Sequence, residues 1–256
     1  MKHIYKISII ALSIFTFIGC SVDDDDAINV LPQKSITASL DNQSDIIFIS
    51  STATSYDLVV NFSEELPSYS SIEYSLDGGD ATITSGSTGD NSVTISIDFD
   101  PSDSYHQIDL SDFIVVNSQA RRFTTSLVGN STVKVMRENA ILATMTWDSG
   151  ANLDLDLDVM TPAWGWAFLT LDASAGSGNI ETVSANLGDG NYALWVFEWP
   201  NNTFSNPVDI NFDIVTAGGN FSFTINAQDF GWQLWLTKST DGDGNVSYTF
   251  YTEDPS

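Results

Sequence analysis

Val93, Ile95, Ile97 and Phe99 alternate with Ser92, Thr94, Ser96 and Asp98, so an extended chain puts the apolar groups on one face and the polar groups on the other. A helix would scatter the same residues around its circumference. The period of two therefore predicts a half-buried strand over residues 92–99. The pattern begins at Tyr56-Asp57-Leu58-Val59-Val60-Asn61-Phe62 and returns over residues 209–214 and 221–226, and no segment carries a convincing amphipathic helix. Between the runs stand Asp77-Gly78-Gly79-Asp80, Gly176-Ser177-Gly178-Asn179, Gly188-Asp189-Gly190-Asn191 and Gly218-Gly219-Asn220. These are turn compositions that supply positive φ at little cost. The chain is predicted to be all-β, with two antiparallel β-sandwich domains.

The amino-terminal residues follow a different logic. Lys2, His3 and Lys6 precede an apolar run from Ile7 to Ile18, broken only by Ser8, Ser13 and Thr16, which is a charged region followed by a hydrophobic stretch of secretory length. Such a run is short for a bilayer span. It ends in Phe17-Ile18-Gly19-Cys20, which resembles the lipobox of bacterial lipoproteins, with Phe17 where Leu is usual. The resemblance implies a signal peptide over residues 1–19, cleavage before Cys20 and acylation of that cysteine. Several acyl chains on one residue hold far better than one, because each buried methylene contributes ~0.8 kcal/mol. Ser21, Val22 and Asp23 to Asp26 look like the acidic export signal of Bacteroidetes surface lipoproteins, which implies an outer-membrane, cell-surface location. The alternatives are retention facing the periplasm, a plain secretory signal, or a solvated tether kept extended by like-charge repulsion. Residues 20–34 are read as lipidated cysteine and acidic linker.

Charge narrows the partners. With Lys2 and Lys6 removed along with the leader, the 8 basic residues become 6 against 34 acidic ones, a net charge of −28. That field repels phosphate backbones, so nucleic acid is not an expected partner. The single cysteine leaves no internal disulfide, so the fold must rest on its core, for which 42% hydrophobic residues suffice.

A compositional shift near Arg137 to Ala140 marks a boundary. All seven tryptophans follow it, and none precedes it. Residues 35–137 carry Leu58-Val59-Val60-Asn61-Phe62-Ser63-Glu64 and Ile72-Glu73-Tyr74-Ser75-Leu76-Asp77-Gly78-Gly79, a strand pattern similar to the immunoglobulin-like spacers of bacterial surface proteins. Residues 138–256 contain Met145-Thr146-Trp147-Asp148-Ser149-Gly150-Ala151-Asn152-Leu153-Asp154-Leu155-Asp156-Leu157, then Gly188-Asp189-Gly190-Asn191-Tyr192-Ala193-Leu194-Trp195-Val196. These resemble the pre-peptidase C-terminal type of β-sandwich, although the segment from Val159 to Trp166 departs from that pattern. The resemblance implies a jelly-roll-like, non-catalytic accessory domain that binds polymer or aids secretion, in some members with calcium.

Two features of this second module are candidate sites. Leu153, Leu155, Leu157 and Val159 are expected in the core, leaving Asp154, Asp156 and Asp158 on the other face, with successive carboxylates ~7 Å apart. Ca²⁺ takes about 6 to 8 oxygens at ~2.4 Å, so inward-bending carboxylates, loop carbonyls and Asp148 from the preceding turn form a candidate calcium set. The competing reading is a hydrated acidic face. Asp241-Gly242-Asp243-Gly244-Asn245 carries the first half of a calcium loop, but Thr252 stands where that loop needs Glu, and a hairpin is the better reading. Trp164 and Trp166 lie close together beside a probable loop and are the candidate ligand platform, whereas the alternation around Trp195, Phe197 and Trp199 assigns Trp195 to the core.

No catalytic constellation emerges. His106 is the only histidine of the processed chain, and Asp103-Ser104-Tyr105-His106 lacks the context of a nucleophile elbow. With 34 acidic residues, some carboxylate pair always has glycosidase-like spacing, so that signal discriminates nothing. Two functions remain as expectations: a non-catalytic surface lipoprotein binding an extracellular glycan or protein, or an envelope spacer without a ligand of its own.

Overall fold

Every regular element among the described residues is a β-strand. The computed structural model describes residues 35–117, 122–175, 178–198, 204 and 206–256, so the expected signal peptide, Cys20, the expected acidic linker and Trp199 lie outside the described residues. The first nine strands are β1 (Ser35–Leu40), β2 (Ile46–Ile49), β3 (Ser55–Phe62), β4 (Tyr69–Leu76), β5 (Thr82–Gly86), β6 (Ser92–Asp98), β7 (Tyr105–Val116), β8 (Thr124–Val128) and β9 (Thr132–Arg137). They form one sheet of order β6-β3-β1-β8 and a second of order β2-β9-β7-β4-β5. The inward residues of both sheets share one core that includes Leu58, Val60, Ile72, Val93, Ile108 and Val133. Alternation does what the sequence predicts: in β6, Val93, Ile95 and Ile97 are buried while Thr94, Ser96 and Asp98 are exposed. β3 pairs antiparallel with β1 and β6, β4 with β5 and β7, and β7 with β9, whereas β2 and β9 run parallel over Ile46 to Ile49 against Lys134 to Arg137. This is an immunoglobulin-like sandwich.

The second set comprises β10 (Ala140–Trp147), β11 (Leu153–Met160), β12 (Ala167–Ser174), β13 (Ile180–Asn186), β14 (Gly190–Glu198), β15 (Val208–Thr216), β16 (Gly219–Ala227), β17 (Gly231–Thr240) and β18 (Val246–Tyr251). A four-stranded sheet, β13-β10-β15-β16, packs on a five-stranded sheet, β12-β11-β14-β17-β18. The chain crosses between the two sheets repeatedly, giving a jelly-roll-like sandwich. Leu153, Leu155 and Leu157 enter its core with Met145, Leu194 and Phe212, and Val159 packs half-buried at its margin. Trp147 is fully buried there too, its indole Nε1 donating to the Ala151 carbonyl at 2.9 Å.

Residues 36–256 form one compact unit, and the junction of the two sandwiches is built on Arg137. This residue is only 3% exposed, and its guanidinium lies 5.4 Å over the Phe99 ring and donates to three carbonyls, those of Asp103 (2.8 Å), Ser51 (2.7 Å) and Asp100 (3.0 Å). Across the junction the Asn186 amide donates to the Asp103 carbonyl at 3.0 Å, and the Ser104 and Ser184 hydroxyls meet at 2.8 Å. Met136, Ala140 and Leu142 add a small apolar cluster with Ile46, Tyr105 and Val215.

Candidate functional site

The outer face of the five-stranded sheet, the one turned away from the core, collects most of the chemistry of the second sandwich. Because Leu153, Leu155 and Leu157 point inward, Asp154, Asp156 and Asp158 of β11 must point outward. The register then places Phe197 opposite Asp154, Trp195 opposite Asp156 and Ala193 opposite Asp158. One strand further on, Trp235 stands opposite Ala193 and Trp232 opposite Trp195. Residues three apart on a regular strand face opposite ways, yet Trp232 and Trp235 share this face. The cause is a bulge: the register steps from Leu194 with Leu234 to Trp195 with Trp232, leaving Gln233 as the extra residue.

These aromatics form two groups. Trp195 meets Trp232 edge to face at 5.0 Å and Phe230 at 6.0 Å. Trp235, Met160 and Ala193 form a small buried patch, covered by Trp164, whose ring meets Tyr251 edge to face at 5.6 Å. The Trp235 indole Nε1 is buried without a hydrogen-bond partner among the described residues. Trp195 is thus half-buried on the outer face and not part of the core, which corrects the expectation drawn from its strand. Sequence alternation identified the two faces of β14, but nothing in it said that the second face stays uncovered.

The acidic strip is not the hydrated face that alternation suggested. Asp154 is 4% and Asp158 6% exposed. Asp158 accepts from the Thr170 hydroxyl at 2.7 Å and from Trp232 Nε1 at 3.0 Å, so a neighbouring strand and an indole screen it. Asp154 lies near Glu181, which accepts from the Ser174 hydroxyl; burial, reinforced by the Glu181 charge, raises its pKa. Burial, then the charges of Asp158, Asp154 and Asp172, push the Asp156 carboxyl up to about 6. Asp154 and Asp156 open onto a cleft of about 380 Å³ with Asn152, Ala173, Ser174 and Phe197.

The four aspartates are not assembled as a calcium set. Asp148 is exposed in the turn before β11, and both carboxylate oxygens of Asp158 accept from protein donors. Among the described residues no three Asp, Glu, His or Cys side chains converge as metal ligands. Burial and mutual repulsion both disfavour the charged forms of Asp154 and Asp156, and no converging donor set is present among the described residues to offset them. Residues 241–245 form the hairpin between β17 and β18: Asp241 Oδ1 accepts from the backbone N–H groups of Asp243 at 2.9 Å and Asn245 at 2.8 Å.

Trp164 and Trp166 are separated by the turn that carries them. Trp164 adopts φ of 62°, a left-handed conformation strained for a bulky residue, and folds back over the outer-face patch. Trp166 is 66% exposed, and Phe168 and Leu169 of edge strand β12 are exposed beside it. In the first sandwich, His106 contacts Asp77 through Nδ1 and Asp103 through Nε2, while the Ser104 hydroxyl turns to Ser184.

No family model matches the chain, and no curated protein matches it. Solved structures give weak likenesses. The apo form of the Calx CBD1 domain is 14% identical, with 41% of this chain and 96% of that domain covered and a TM-score of 0.29. The calcium binding domain CBD12 of CALX1.1 is 10% identical over 64% of this chain and 82% of its own, TM-score 0.28. A candidate carbohydrate binding protein from Bacteroides ovatus is 9% identical over 76% of this chain and 71% of its own, TM-score 0.24. At these values the likenesses carry no functional argument. The chain itself defines an all-β protein of two successive sandwiches.

Proposed function

We propose that this chain is a non-catalytic lipoprotein of the outer-membrane surface, anchored through Cys20, whose second sandwich binds an extracellular glycan on the outer face of its five-stranded sheet. The observation that carries the reading is the Trp195, Trp232 and Phe230 group standing on that face, with the Asp154 and Asp156 cleft on the adjoining strand. Indole faces suit the C–H surfaces of sugar rings, and carboxylates accept from sugar hydroxyls, while apolar area buried by the ring supplies most of the affinity. Trp164 covers the neighbouring Trp235 patch on the same face, and Trp166 stands exposed beyond it. The anchor rests on the lipobox resemblance and the acidic run after Cys20. Trp195 and Phe230 are the residues to test, because neither belongs to the core of the sandwich.

The experiment is affinity electrophoresis of the soluble chain, without its leader, through gels containing a panel of polysaccharides. Trp195→Ala with Phe230→Ala is expected to weaken retention roughly tenfold or more with an unchanged melting temperature. Retention equal to that of the parent overturns the platform. Absence of retention by every polysaccharide, with binding to envelope proteins instead, favours the spacer reading, which the Arg137 junction suits by holding the two sandwiches together.

A further inference from the structure

The core of the second sandwich ends in a polar layer at the junction. Along β17 the inward series Leu234, Leu236 continues to Lys238, which the ladder places between Gly190 of β14 and Tyr248 of β18. Lys238 is 5% exposed, and its ammonium has one acceptor among the described residues, Asp189 Oδ1 at 3.5 Å. That oxygen already accepts from the Thr240 hydroxyl at 2.8 Å. An ammonium so buried, with a single long contact, is left with unspent N–H donors, a costly condition in a folded protein. Two further polar atoms nearby are buried without partners among the described residues. One is the Tyr248 hydroxyl, whose pKa burial, with Tyr192 and Asp189 close by, pushes up to about 12, so it keeps its proton. The other is Asn139 Oδ1, an acceptor.

Lys238 and Asn139 both line an open cleft of about 460 Å³, where Thr240 and Gly218 of the second sandwich face Ser51 and Glu138. The Tyr248 ring lies directly behind Gly218, where an added Cβ would come within 3.2 Å of it. The lining offers ammonium donors at Lys238, an unfilled acceptor at Asn139 and a carboxylate at Glu138, while Asp189 stands beside Lys238 as its ion-pair partner. A chain with only 8 Lys and Arg against 34 acidic residues has placed one of its few cations here.

We infer that this cleft is a second, separate site that binds a hydroxylated monoanion of sugar-acid type: its carboxylate accepts from Lys238 and a hydroxyl donates to Asn139 Oδ1. Glu138 and Asp189 set the charge limit, since they repel a doubly charged anion such as phosphate more strongly than a single carboxylate. A neutral sugar leaves the long contact with Asp189 as the one charged interaction of Lys238 among the described residues. The site stands apart from the aromatic face and does not depend on it.

The test is a calorimetric titration of the soluble chain with galacturonate, glucose and inorganic phosphate in turn. Galacturonate is expected to bind saturably, with glucose and phosphate at least roughly tenfold weaker. Lys238→Gln and Asn139→Leu should each lower galacturonate affinity roughly tenfold, while Lys238→Arg, which keeps the charge, retains most of it. Equal binding of glucose, tighter binding of phosphate, unchanged affinity in Asn139→Leu, or no galacturonate binding overturns the inference. Where Lys238→Gln fails to fold, Asn139→Leu decides. Trp195→Ala serves as the control: it should leave galacturonate binding intact, so that failure at one site is read separately from failure at the other.

Discussion

Replacing Asp156 by Asn removes one charge from a strip that the fold has desolvated. The carboxyl has a pKa of 3.8 when unperturbed and about 6 in the folded chain. Between those values the folded state binds more protons than the unfolded one, so stability rises as pH falls through the window and is lost as pH climbs through 6. A shift of about two units corresponds to roughly 3 kcal/mol, and partial exposure of the group screens this to about 1 to 1.5 kcal/mol. Asp156→Asn should therefore be more stable than the parent by about that amount near pH 8, and the gain should shrink to nearly nothing near pH 4. Neutralising Asp156 also relieves Asp158, Asp154 and Asp172, whose charges act on it, so the sign of the neighbouring contributions is the same. Urea denaturation followed by tryptophan fluorescence, in chelator, measures the difference at several pH values. A variant no more stable than the parent near pH 8, or a gain independent of pH, would refute the assignment of strain to this carboxyl.

Arg137→Met should lower stability by about 3 kcal/mol, because three carbonyls lose their buried donor while the apolar replacement keeps part of the contact with Phe99. Thermal unfolding monitored by circular dichroism reads it, and a loss below about 1 kcal/mol would mean that the carbonyls find other donors. Cys20→Ala, expressed from the full-length sequence, should shift the protein from the detergent-requiring membrane fraction to the soluble fraction; unchanged membrane association counts against acylation at that position.

The all-β class was written plainly in the sequence, because a period of two is a direct statement about extended chain. Val93, Ile95 and Ile97 are buried as their alternation demands, and Ile210, Phe212 and Ile214 repeat it in β15. Turn chemistry was equally legible: Asp77 and Gly78 adopt φ of 51° and 70°, the conformations their composition favours. What alternation fails to supply is the fate of the second face. Whether Asp154 meets water or a neighbouring strand depends on β12 and β14, and on an indole delivered to Asp158 from β17, 74 residues away. The bulge at Gln233 hid the aromatic group further, because it reverses the parity by which Trp232 and Trp235 would have been sorted. Trp164 and Trp166 looked equivalent as neighbours in the chain; a left-handed turn at Trp164 sends one ring inward and leaves the other in water.

The parallel pairing of β2 with β9 has a mechanical consequence. The chain comes into the first sandwich by way of β1 and β2 and leaves it from the carboxyl end of β9. Once β1 is drawn off β3, tension between Ile46 and the carboxyl end of β9 acts along these two strands and not across them, so the four paired positions from Ile46 to Ile49 bear it together in shear. Peeling them open one by one would require force from the side.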